Sequence, residues 1–528
     1  MTRREKGAWA LLLLASLAVH LWALSDRPFH HDESVHGWFA MKLAFEGDYR
    51  YDPVYHGPVQ YLALAGAFRL LGDSDFSARL PAALAGVALS ALGLLLRRRW
   101  GQGAALASAA LVAFSPLFLY YTRFCREDAW SLLGTAGGFL FLDAWVSRRR
   151  LADLVLSAVF FAVAFGAKEN FYVLLALMPP SVAFVLLEPG RGADIKVRSR
   201  ATLAFLSEHA TALAGAVLLF FALAELLYTL FLVHPDAGNP AFEAVRYWWG
   251  QHRQERISGP KWYYLPRLLQ YELAILLPAV AFALSRWRRL DAVQRFCFGW
   301  GVSSVAMYAW LGEKTPWLMV HQVLPFVPLA GLAWARLARA RPATRLAAAS
   351  LAAVSVAAAL LAAASLMTAW SLSFWRPALT PRLREAESAV YVQTSPEILD
   401  LVREVEALSR TTPGTVVSVE GASGWPLSWY FRHVPVSWEA PKAGGELPPV
   451  VVVDPGEADA TALVLGKGWR REEIPLRVWW LPEVSLSPLR PSPAEAVRYL
   501  LTRVPWSPIG WQSIVVFRRV GENPPAKP

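Results

Sequence analysis

The sequence predicts an α-helical polytopic membrane protein with a small, water-soluble α/β domain at its C-terminus. Hydrophobic residues make up 55% of the 528-residue chain. They cluster in runs of roughly 18–25 residues, the length that a helix needs to cross a hydrocarbon core of about 30 Å. Because backbone groups in lipid must be hydrogen-bonded within their own segment, these runs are predicted to be helices. The 24 Trp residues favour the membrane–water interface, where such helices end.

The apolar runs predict about eleven transmembrane helices. They lie near residues 7–25, 80–97, 103–121, 129–146, 151–167, 171–188, 205–233, 267–285, 294–311, 317–335 and 346–372. The first run follows Arg3, Arg4 and Lys6 and ends at Ala23-Leu24-Ser25, so a cleaved signal peptide is the alternative interpretation. We interpret it as an uncleaved anchor, because the rest of the chain is also rich in spans.

Basic residues predict the orientation of the chain. The net charge is +11, but the Arg and Lys residues lie between apolar runs, so topology explains them and no nucleic-acid partner is predicted. They occupy every second loop, as Arg3/Arg4/Lys6, Arg97/Arg98/Arg99, Arg148/Arg149/Arg150, Arg191/Lys196/Arg198/Arg200, Arg286/Arg288/Arg289 and Arg336/Arg339/Arg341/Arg345. The positive-inside rule then predicts a multi-pass protein of the cell (plasma) membrane with a cytoplasmic N-terminus and an exoplasmic C-terminal domain.

Two apolar segments of the first outer loop are not counted as spans. Residues Gly57–Gly72 form a short run that contains Gln60 and Arg69, and they are predicted to be interfacial or re-entrant. Residues Ser34–Glu46 mix aromatic and polar side chains and predict a helix that lies on the membrane surface.

The composition changes near residue 373, which predicts a transmembrane domain at 1–372 and an exoplasmic α/β domain at 373–528. Pro377, Pro381 and Pro396 punctuate a linker, and an amphipathic helix is predicted near 396–410. Four β-rich runs follow, at Thr415–Glu420, Val450–Asp454, Ile474–Trp480 and Ser513–Arg518. Trp425, Trp429 and Tyr430 are candidates for stacking on an acceptor, but core packing is the favoured interpretation.

Acidic residues directly follow the first span, in the sequence His30-His31-Asp32-Glu33. Carboxylates at a membrane surface can serve as a general base or hold a substrate, which makes Asp32 and Glu33 catalytic candidates. The structural alternative is a solvated turn in which Asp32 caps the next helix.

Further polar candidates lie in other predicted outer loops. Arg123, Arg126 and Asp128 come from the second, and Arg there suits bidentate binding of phosphate, although headgroup snorkelling is an equal alternative. The remaining candidates are Lys168, Glu169, Glu313 and Lys314 in loops, His56 in a turn, and His20 and His321 near membrane depth, where a packed histidine is as good an interpretation. Together they predict one face with acids and cations, as needed to hold a phosphate and deprotonate a hydroxyl.

The order of these motifs resembles the GT-C glycosyltransferases. It comprises a span, an outer loop with Asp32-Glu33, the turn His56-Gly57-Pro58, Ser77-Ala-Arg-Leu-Pro81, a span that ends in Ser115-Pro116, and then Arg123-x-x-Arg126-x-Asp128. The resemblance is strongest to the dolichyl-phosphate-mannose protein mannosyltransferases and the bacterial aminoarabinose transferases. Gly312–Trp317 resembles a prokaryotic group of flippase-associated glycosylation proteins. The family more often has His-Pro-Pro where this chain has His56-Gly57-Pro58.

The resemblance implies an inverting transferase that uses a polyprenyl-phosphate-linked sugar donor and a protein, lipid or glycan acceptor on the exoplasmic face. It implies Asp32 as the base, Asp128 as the second-loop acid and Lys168 near the lipid phosphate. Arg123 and Arg126 would stabilise the leaving phosphate, and Glu33 would orient the base or the sugar. No metal-ligand spacing requires a metal, so no cofactor is predicted with certainty, although a divalent cation such as Mg²⁺ or Mn²⁺ is compatible with the resemblance.

Two other functions fit the same residues. A glycolipid flippase or transporter would use the cations to bind a phosphate, but few charged residues lie deep within the predicted spans. A non-catalytic partner in glycan assembly would recruit other proteins through the C-terminal domain, and its Asp32-Glu33 loop would be dispensable.

Overall fold

The computed structural model describes residues 1–186, 195–234, 240–254, 259–375, 385–420, 424–442, 444–445, 447–482 and 491–520. The predicted linker residues Pro377 and Pro381 and the predicted cytoplasmic Arg191 lie outside these ranges.

The chain divides into two compact units, each of which is discontinuous in sequence. The membrane unit comprises Met1–Leu24 and Leu43–Trp375, and the C-terminal unit comprises Ser25–Lys42 and Arg376–Pro528. The sequence prediction placed a single boundary at 372/373. The structure differs at residues 25–42, because Phe29 stacks on Trp429 with ring centroids 4.9 Å apart and so joins this segment to the C-terminal unit.

Helices build the membrane unit. They are α1 (Arg3–Leu21), α2 (His31–Phe45, of which residues 31–42 belong to the C-terminal unit), α3 (Pro58–Leu71), α4 (Asp75–Ala91), α5 (Gly93–Phe114), α6 (Pro116–Thr122), α7 (Asp128–Arg148), α8 (Leu151–Ala167), α9 (Asn170–Leu186), α10 (Ile195–Glu208), α11 (Ala210–Tyr228), α12 (Pro240–Gln254), α13 (Tyr264–Ser285), α14 (Ala292–Trp310), α15 (Met319–Val323), α16 (Val327–Leu337) and α17 (Arg345–Trp370).

Within the described ranges, 6 helical segments are long and apolar enough to cross a membrane. They are Asp75–Phe114, Asp128–Arg148, Ala210–Tyr228, Tyr264–Ser285, Pro316–Leu337 and Arg345–Trp375, and the shorter apolar helices are α8 and α9. The first segment covers two predicted spans, since α4 and α5 follow each other directly. The chain is therefore a multi-pass membrane protein, and the count of eleven spans stays a prediction.

Basic residues 97–99 lie inside α5 rather than in a loop. The helix is interrupted only at Gly101, whose φ of 84° is one that glycine adopts without a steric penalty. Gly101 lies in the predicted loop between the spans 80–97 and 103–121, so the helix is interrupted within that loop, although the arginines themselves are helical.

Both apolar segments of the predicted first outer loop, 34–46 and 57–72, are helical. Helix α3 has 14 residues, so it is about 21 Å long and shorter than a hydrocarbon core. Helix α2 covers the segment predicted to lie on the membrane surface. Gly37 lies against the ring of Trp429, and Trp38 meets Trp425 edge-on at 6.4 Å, so residues 34–42 pack within the C-terminal unit. Their position at a membrane surface stays a prediction.

A six-stranded mixed sheet forms the centre of the C-terminal unit. Its strands are β1 (Gln393–Thr394), β2 (Val417–Val419), β3 (Val436–Ser437), β4 (Val450–Val453), β5 (Trp469–Trp479) and β6 (Gly510–Arg519), in the order β1-β5-β6-β4-β2-β3. Strand β2 pairs in parallel with β3 and β4, and the other pairs are antiparallel. The four β-rich runs of the sequence are thus strands of one sheet.

Helices cover both faces of this sheet, which explains the unbroken apolar run of β4. They are α18 (Glu397–Thr411), α19 (Gly424–Tyr430), α20 (Ala458–Leu465) and α21 (Pro493–Thr502). Val450 and Val452 pack in the same core as α18, and Val451 and Val453 pack in the core that contains α20. A strand buried on both faces reads as a continuous hydrophobic run rather than an alternating one.

Candidate active site

Glu127 and Asp128 lie at the start of α7, in the middle of a buried network of charged side chains. The Nζ of Lys168 lies 2.9 Å from Glu127 Oε1 and donates to Asp128 Oδ1 at 2.7 Å. Arg126 donates from Nη2 to Glu127 Oε1 at 2.9 Å and from Nε to Asp128 Oδ2 at 3.3 Å. Buried carboxylates are tolerated only when they are paired and hydrogen-bonded, and these pairs meet that condition.

Close packing of α7 against α8 brings Asp128 and Lys168 together. Asp128 is the first residue of α7, and Lys168 follows the last residue of α8. The contact depends on glycine: a Cβ on Gly134 would lie 2.5 Å from the backbone of α8, and one on Gly137 or Gly138 would lie 2.3 or 2.5 Å from a phenylalanine ring. Small residues at such contacts allow helix backbones to approach closely in membrane proteins.

His56 joins the network from the turn before α3. Its Nδ1 lies 2.5 Å from Glu169 Oε2, and its Nε2 lies 3.3 Å from Glu127 Oε1. Its ring stacks on Trp248 with the planes 4° apart. The backbone of His56 has φ 67° and ψ −169°, a region that is nearly confined to glycine and costs about 1–3 kcal/mol. Strain of this kind collects at functional sites, which supports His56 as a site candidate.

Tyr51 contacts the same acidic residue. Its hydroxyl lies 3.4 Å from Glu169 Oε1 and is oriented as a donor. Burial, and then the Glu169 carboxylate, raise the pKa of the Tyr51 phenol well above its ordinary value. Tyr51 therefore stays protonated and remains a donor to the carboxylate.

Both ring nitrogens of His56 face carboxylate oxygens, Nδ1 that of Glu169 and Nε2 that of Glu127. The cations Arg126 and Lys168 and the carboxylates Glu127, Asp128 and Glu169 thus meet in one network. An ammonium has three N–H donors, and two of those of Lys168 point at carboxylates of the described network.

Arg126 and Asp128 have further partners from the segment that follows α14. The guanidinium of Arg126 lies over the ring of Trp317 at 4.0 Å from its centroid. His321 Nε2 lies 3.0 Å from Asp128 Oδ1. Stacking and hydrogen bonding fix the orientation of both network residues.

A small polar cavity of about 20 Å³ adjoins His321. Its polar lining comprises Ser131, Thr135, Asn170, Ser304, Tyr308 and His321. Asn170 Nδ2 and Ser304 Oγ are buried and have no hydrogen-bond partner among the described residues. The cavity has room for about one water molecule, which would satisfy these groups.

The turn at His56 depends on the absence of a side chain at residue 57. Gly57 N donates to Ala167 O at 3.2 Å, and a Cβ on Gly57 would lie 2.2 Å from the carbonyl oxygen of Gly166. We expect Gly57→Ala to destabilise the protein by roughly 1–3 kcal/mol, as overpacking against fixed backbone does, and to displace His56 from Glu169. Thermal unfolding in detergent micelles measures the effect.

Gly66→Ala is the matched control for that change. Gly66 lies within α3, and a Cβ there meets nothing within 4 Å. Replacing an exposed helical glycine by alanine is stabilising by roughly 0.5–1 kcal/mol. Equal unfolding temperatures for the two variants would contradict the steric argument for Gly57.

Other sequence candidates have backbone partners. Arg123 donates to the carbonyl oxygens of Val19, His20 and Ala23, which satisfies the end of α1, and its guanidinium lies over the ring of Phe374. This geometry favours a structural role for Arg123, and its role in phosphate binding stays a prediction.

Lys314 and Glu313 follow the end of α14. Lys314 Nζ donates to the carbonyl oxygens of Tyr308, Ala309 and Leu311, which caps that helix. The carbonyl oxygen of Glu313 accepts a hydrogen bond from the Tyr264 hydroxyl at 3.2 Å. Both residues thus stabilise the loop before Trp317, and a direct role in the site stays a prediction.

Asp32 and Glu33 belong to the C-terminal unit. The Glu33 side chain is completely buried: its Oε1 pairs with Arg27 Nη2 at 3.0 Å, and its Oε2 accepts from the backbone N–H of His30 at 3.0 Å. Asp32 remains partly accessible, with 28% of its side chain exposed. Glu33 thus secures the start of α2, while Asp32 is the more exposed carboxylate of the two.

Sequence reasoning left Glu127 out of the candidates and assigned no role to His321 or Trp317. Glu127 contacts His56, Arg126 and Lys168, so it has as many charged partners in the network as Asp128. The sequence signal that could have identified Glu127 is its position between Arg126 and Asp128. His321 and Trp317 lie far from Asp128 in sequence, and no spacing rule connects them to it.

The described residues contain no group of three or more His, Cys, Asp or Glu side chains arranged to hold a metal ion. The carboxylates of Glu127 and Asp128 instead face Lys168 and Arg126. A role for Mg²⁺ or Mn²⁺ therefore stays a prediction.

The membrane unit thus places buried acids and cations at helix ends, and the C-terminal unit is a small mixed α/β fold. Residues 55–223 match the family described as dolichyl-phosphate-mannose-protein mannosyltransferase. The resemblance predicted from the motifs is therefore confirmed. No curated protein matches the sequence.

Solved structures share this fold over nearly the whole chain. ArnT from Cupriavidus metallidurans bound to undecaprenyl phosphate is 16% identical with a TM-score of 0.56, covering 96% of this chain and 98% of that one. Its apo state is 16% identical with a TM-score of 0.59, covering 97% and 98%. The oligosaccharyltransferase AglB from Archaeoglobus fulgidus, in complex with an inhibitory peptide and a dolichol-phosphate, is 12% identical with a TM-score of 0.51, covering 87% and 71%.

Proposed function

We propose that this protein is a membrane glycosyltransferase that moves a sugar from a polyprenyl-phosphate-linked donor to a hydroxyl- or amide-bearing acceptor. The observation that carries the proposal is the buried network of Arg126, Lys168, Glu127 and Asp128 in a chain with the GT-C fold. The undecaprenyl phosphate of ArnT and the dolichol-phosphate of AglB support the lipid class of the donor. The proposed acceptor is a protein, a lipid or a glycan.

The proposed reaction inverts the configuration at the sugar. The acceptor heteroatom forms a bond to C1 of the sugar while the bond from C1 to the phosphate oxygen breaks. The acceptor proton passes to the Asp32 carboxylate, and the polyprenyl phosphate leaves with the electron pair. Asp32 is proposed as the base because it is the accessible acid of its segment, whereas both oxygens of Glu33 are engaged.

Arg126 and Lys168 are proposed to stabilise the charge that develops on the leaving phosphate. A phosphate ester is a weak base, so it needs fixed positive charge more than a proton donor. Fixed donors aimed at developing charge in a dry site contribute strongly, because they need no reorganisation during the reaction. Glu127 and Asp128 support the proposal, since they hold both cations in place before the donor binds.

We propose the plasma membrane as the location, with the N-terminus in the cytoplasm and transfer on the exoplasmic face. Alternation of the basic clusters supports this orientation. Accessibility labelling of a cysteine placed at position 149 tests it. Labelling from outside intact cells would contradict the orientation.

Glycan mass spectrometry of a deletion strain tests the function. Loss of one sugar from a surface glycan, restored by the wild-type gene, is the expected result. Purified protein in proteoliposomes separates the flippase alternative: a fluorescent polyprenyl-phosphate sugar that crosses the bilayer without any transfer would replace the proposed function by that one.

A further inference from the structure

The segment that carries Asp32 is built into the C-terminal unit by contacts on several sides. Gln393 Nε2 donates to Pro28 O at 2.8 Å, and Thr394 Oγ1 donates to Phe29 O at 2.6 Å. The hydroxyl of Tyr430 accepts from Phe29 N at 2.6 Å. The backbone before Asp32 therefore takes its course from β1 and α19, which lie more than 360 residues away in sequence.

His30 connects this scaffold to Asp32 itself. Its Nε2 lies 2.7 Å from the carbonyl oxygen of Tyr391, and its Nδ1 lies 3.0 Å from the backbone nitrogen of Asp32. A carbonyl accepts and a backbone N–H donates, so the ring must carry its proton on Nε2 and a lone pair on Nδ1. His30 therefore acts as a neutral bridge between the C-terminal unit and the backbone of Asp32.

Arg477 supplies the positive charge near Asp32. It lies on β5, and its Nη2 donates to the carbonyl oxygen of Trp425 at 2.6 Å. Burial lowers the pKa of the Arg477 guanidinium, and the carboxylates of Asp32 and Asp454 oppose that shift. Its Nε is buried and has no hydrogen-bond partner among the described residues. The Arg477 guanidinium is thus held by its place on β5 and by its hydrogen bond to Trp425, and its charge interacts with those of Asp32 and Asp454.

We propose that the C-terminal unit is part of the catalytic machinery, in which His30 and Arg477 are positioning residues that orient Asp32 and place positive charge near it. The inference rests on the proposed function, since it presumes that Asp32 accepts the acceptor proton. It assigns a role to a domain whose fold alone does not indicate one. Supporting residues whose own positions are fixed by packing are what hold a catalytic group in its productive geometry.

Two variants test the two positioning residues. His30→Ala removes the bridge, and a displacement of about 1 Å would lower kcat on the order of 10²-fold while the KM for the lipid-linked donor stays unchanged. Arg477→Met removes the neighbouring charge, so the acid limb of the pH–rate profile should move up by about one pH unit. The titratable groups near Asp32 that bear on this limb include His30, Arg477 and, through Arg477, Asp454, together with the sequence neighbours His31 and Glu33.

Control variants distinguish positioning from loss of the fold. Arg471→Met lies on the same strand and removes an exposed ion pair with Asp459, so its pH profile should match that of the wild type. Arg477→Lys keeps the charge and should restore the acid limb. If Arg477→Met does not fold, Tyr430→Phe still tests the scaffold, because it removes the hydroxyl that accepts from Phe29 N while keeping the ring, and it should lower kcat.

The outcomes separate this inference from the proposed function. If Asp32→Asn is inactive but His30→Ala, Arg477→Met and Tyr430→Phe keep wild-type kcat and pH profiles, the positioning role is overturned and the proposed function stands. If Asp32→Asn is fully active, Asp32 is not the base and the positioning role falls with it, while the transferase function stands. If the wild-type protein transfers no sugar, the proposed function itself falls. Lower kcat and a shifted acid limb, with wild-type behaviour of Arg471→Met, establish the role.

Discussion

Asp32→Asn should abolish sugar transfer, with a loss on the order of 10²-fold to 10⁴-fold, the contribution that a positioned general base makes. Asparagine has nearly the same shape as aspartate, but its amide cannot take a proton from the acceptor. The backbone bond from residue 32 to His30 and the ion pair of Glu33 do not involve the Asp32 carboxylate. The protein should therefore insert and fold as before, and bind donor normally.

The measurement is transfer of a labelled sugar from its polyprenyl phosphate by purified protein in proteoliposomes, with thermal unfolding recorded in parallel. Asp26→Asn is the matched control, because Asp26 is an exposed acid of the same segment. Wild-type activity in Asp32→Asn would remove Asp32 as the base. Equal losses in both variants would indicate a general effect of charge on the segment.

Lys168→Met should damage both stability and transfer. The change leaves Glu127 and Asp128 buried with one cation fewer, and breaking a buried ion pair in this way typically costs about 3–5 kcal/mol. Transfer should fall on the order of 10²-fold to 10³-fold, as when one fixed donor to a developing negative charge is removed. Thermal unfolding in detergent and the proteoliposome assay measure the two effects.

A compensating change separates these two effects. Glu127→Gln combined with Lys168→Met removes one carboxylate together with the cation, so stability should recover in part while transfer stays low. Arg99→Met is the control for an exposed pair: Arg99 and Asp143 are about 30% exposed, and such pairs contribute only about 0–1 kcal/mol. Recovery of transfer in the double variant would show that Lys168 is structural only.

The candidate residues fall into two groups once their contacts are known. Lys168, His56 and Arg126 face carboxylates, whereas Arg123 and Lys314 mostly satisfy backbone carbonyls at helix ends. In the sequence the two groups look alike, since both consist of basic residues near predicted loops. They differ in what the neighbouring helices present to each side chain, which depends on the tertiary structure.

Local rules were sufficient for several elements. The apolar run of 129–146 corresponds to α7, the amphipathic pattern near 396–410 corresponds to α18, and the valines of 450–453 form a buried strand. Each depends on the periodicity or length of one continuous segment, which the sequence contains in full. The turn at His56-Gly57-Pro58 was also visible, although not the close approach to Gly166 that requires glycine there.

By itself, then, the sequence determined that this chain is a multi-pass membrane protein with an α/β region, and it determined which loops hold acids and cations. Those properties follow from hydrophobic length and charge order along one dimension. The tertiary structure alone decided that His321 joins Asp128, and that residues 25–42 pack with the C-terminal unit. These contacts join residues more than a hundred positions apart, and they depend on helix packing and stacking such as that of Phe29 on Trp429, which no local pattern encodes.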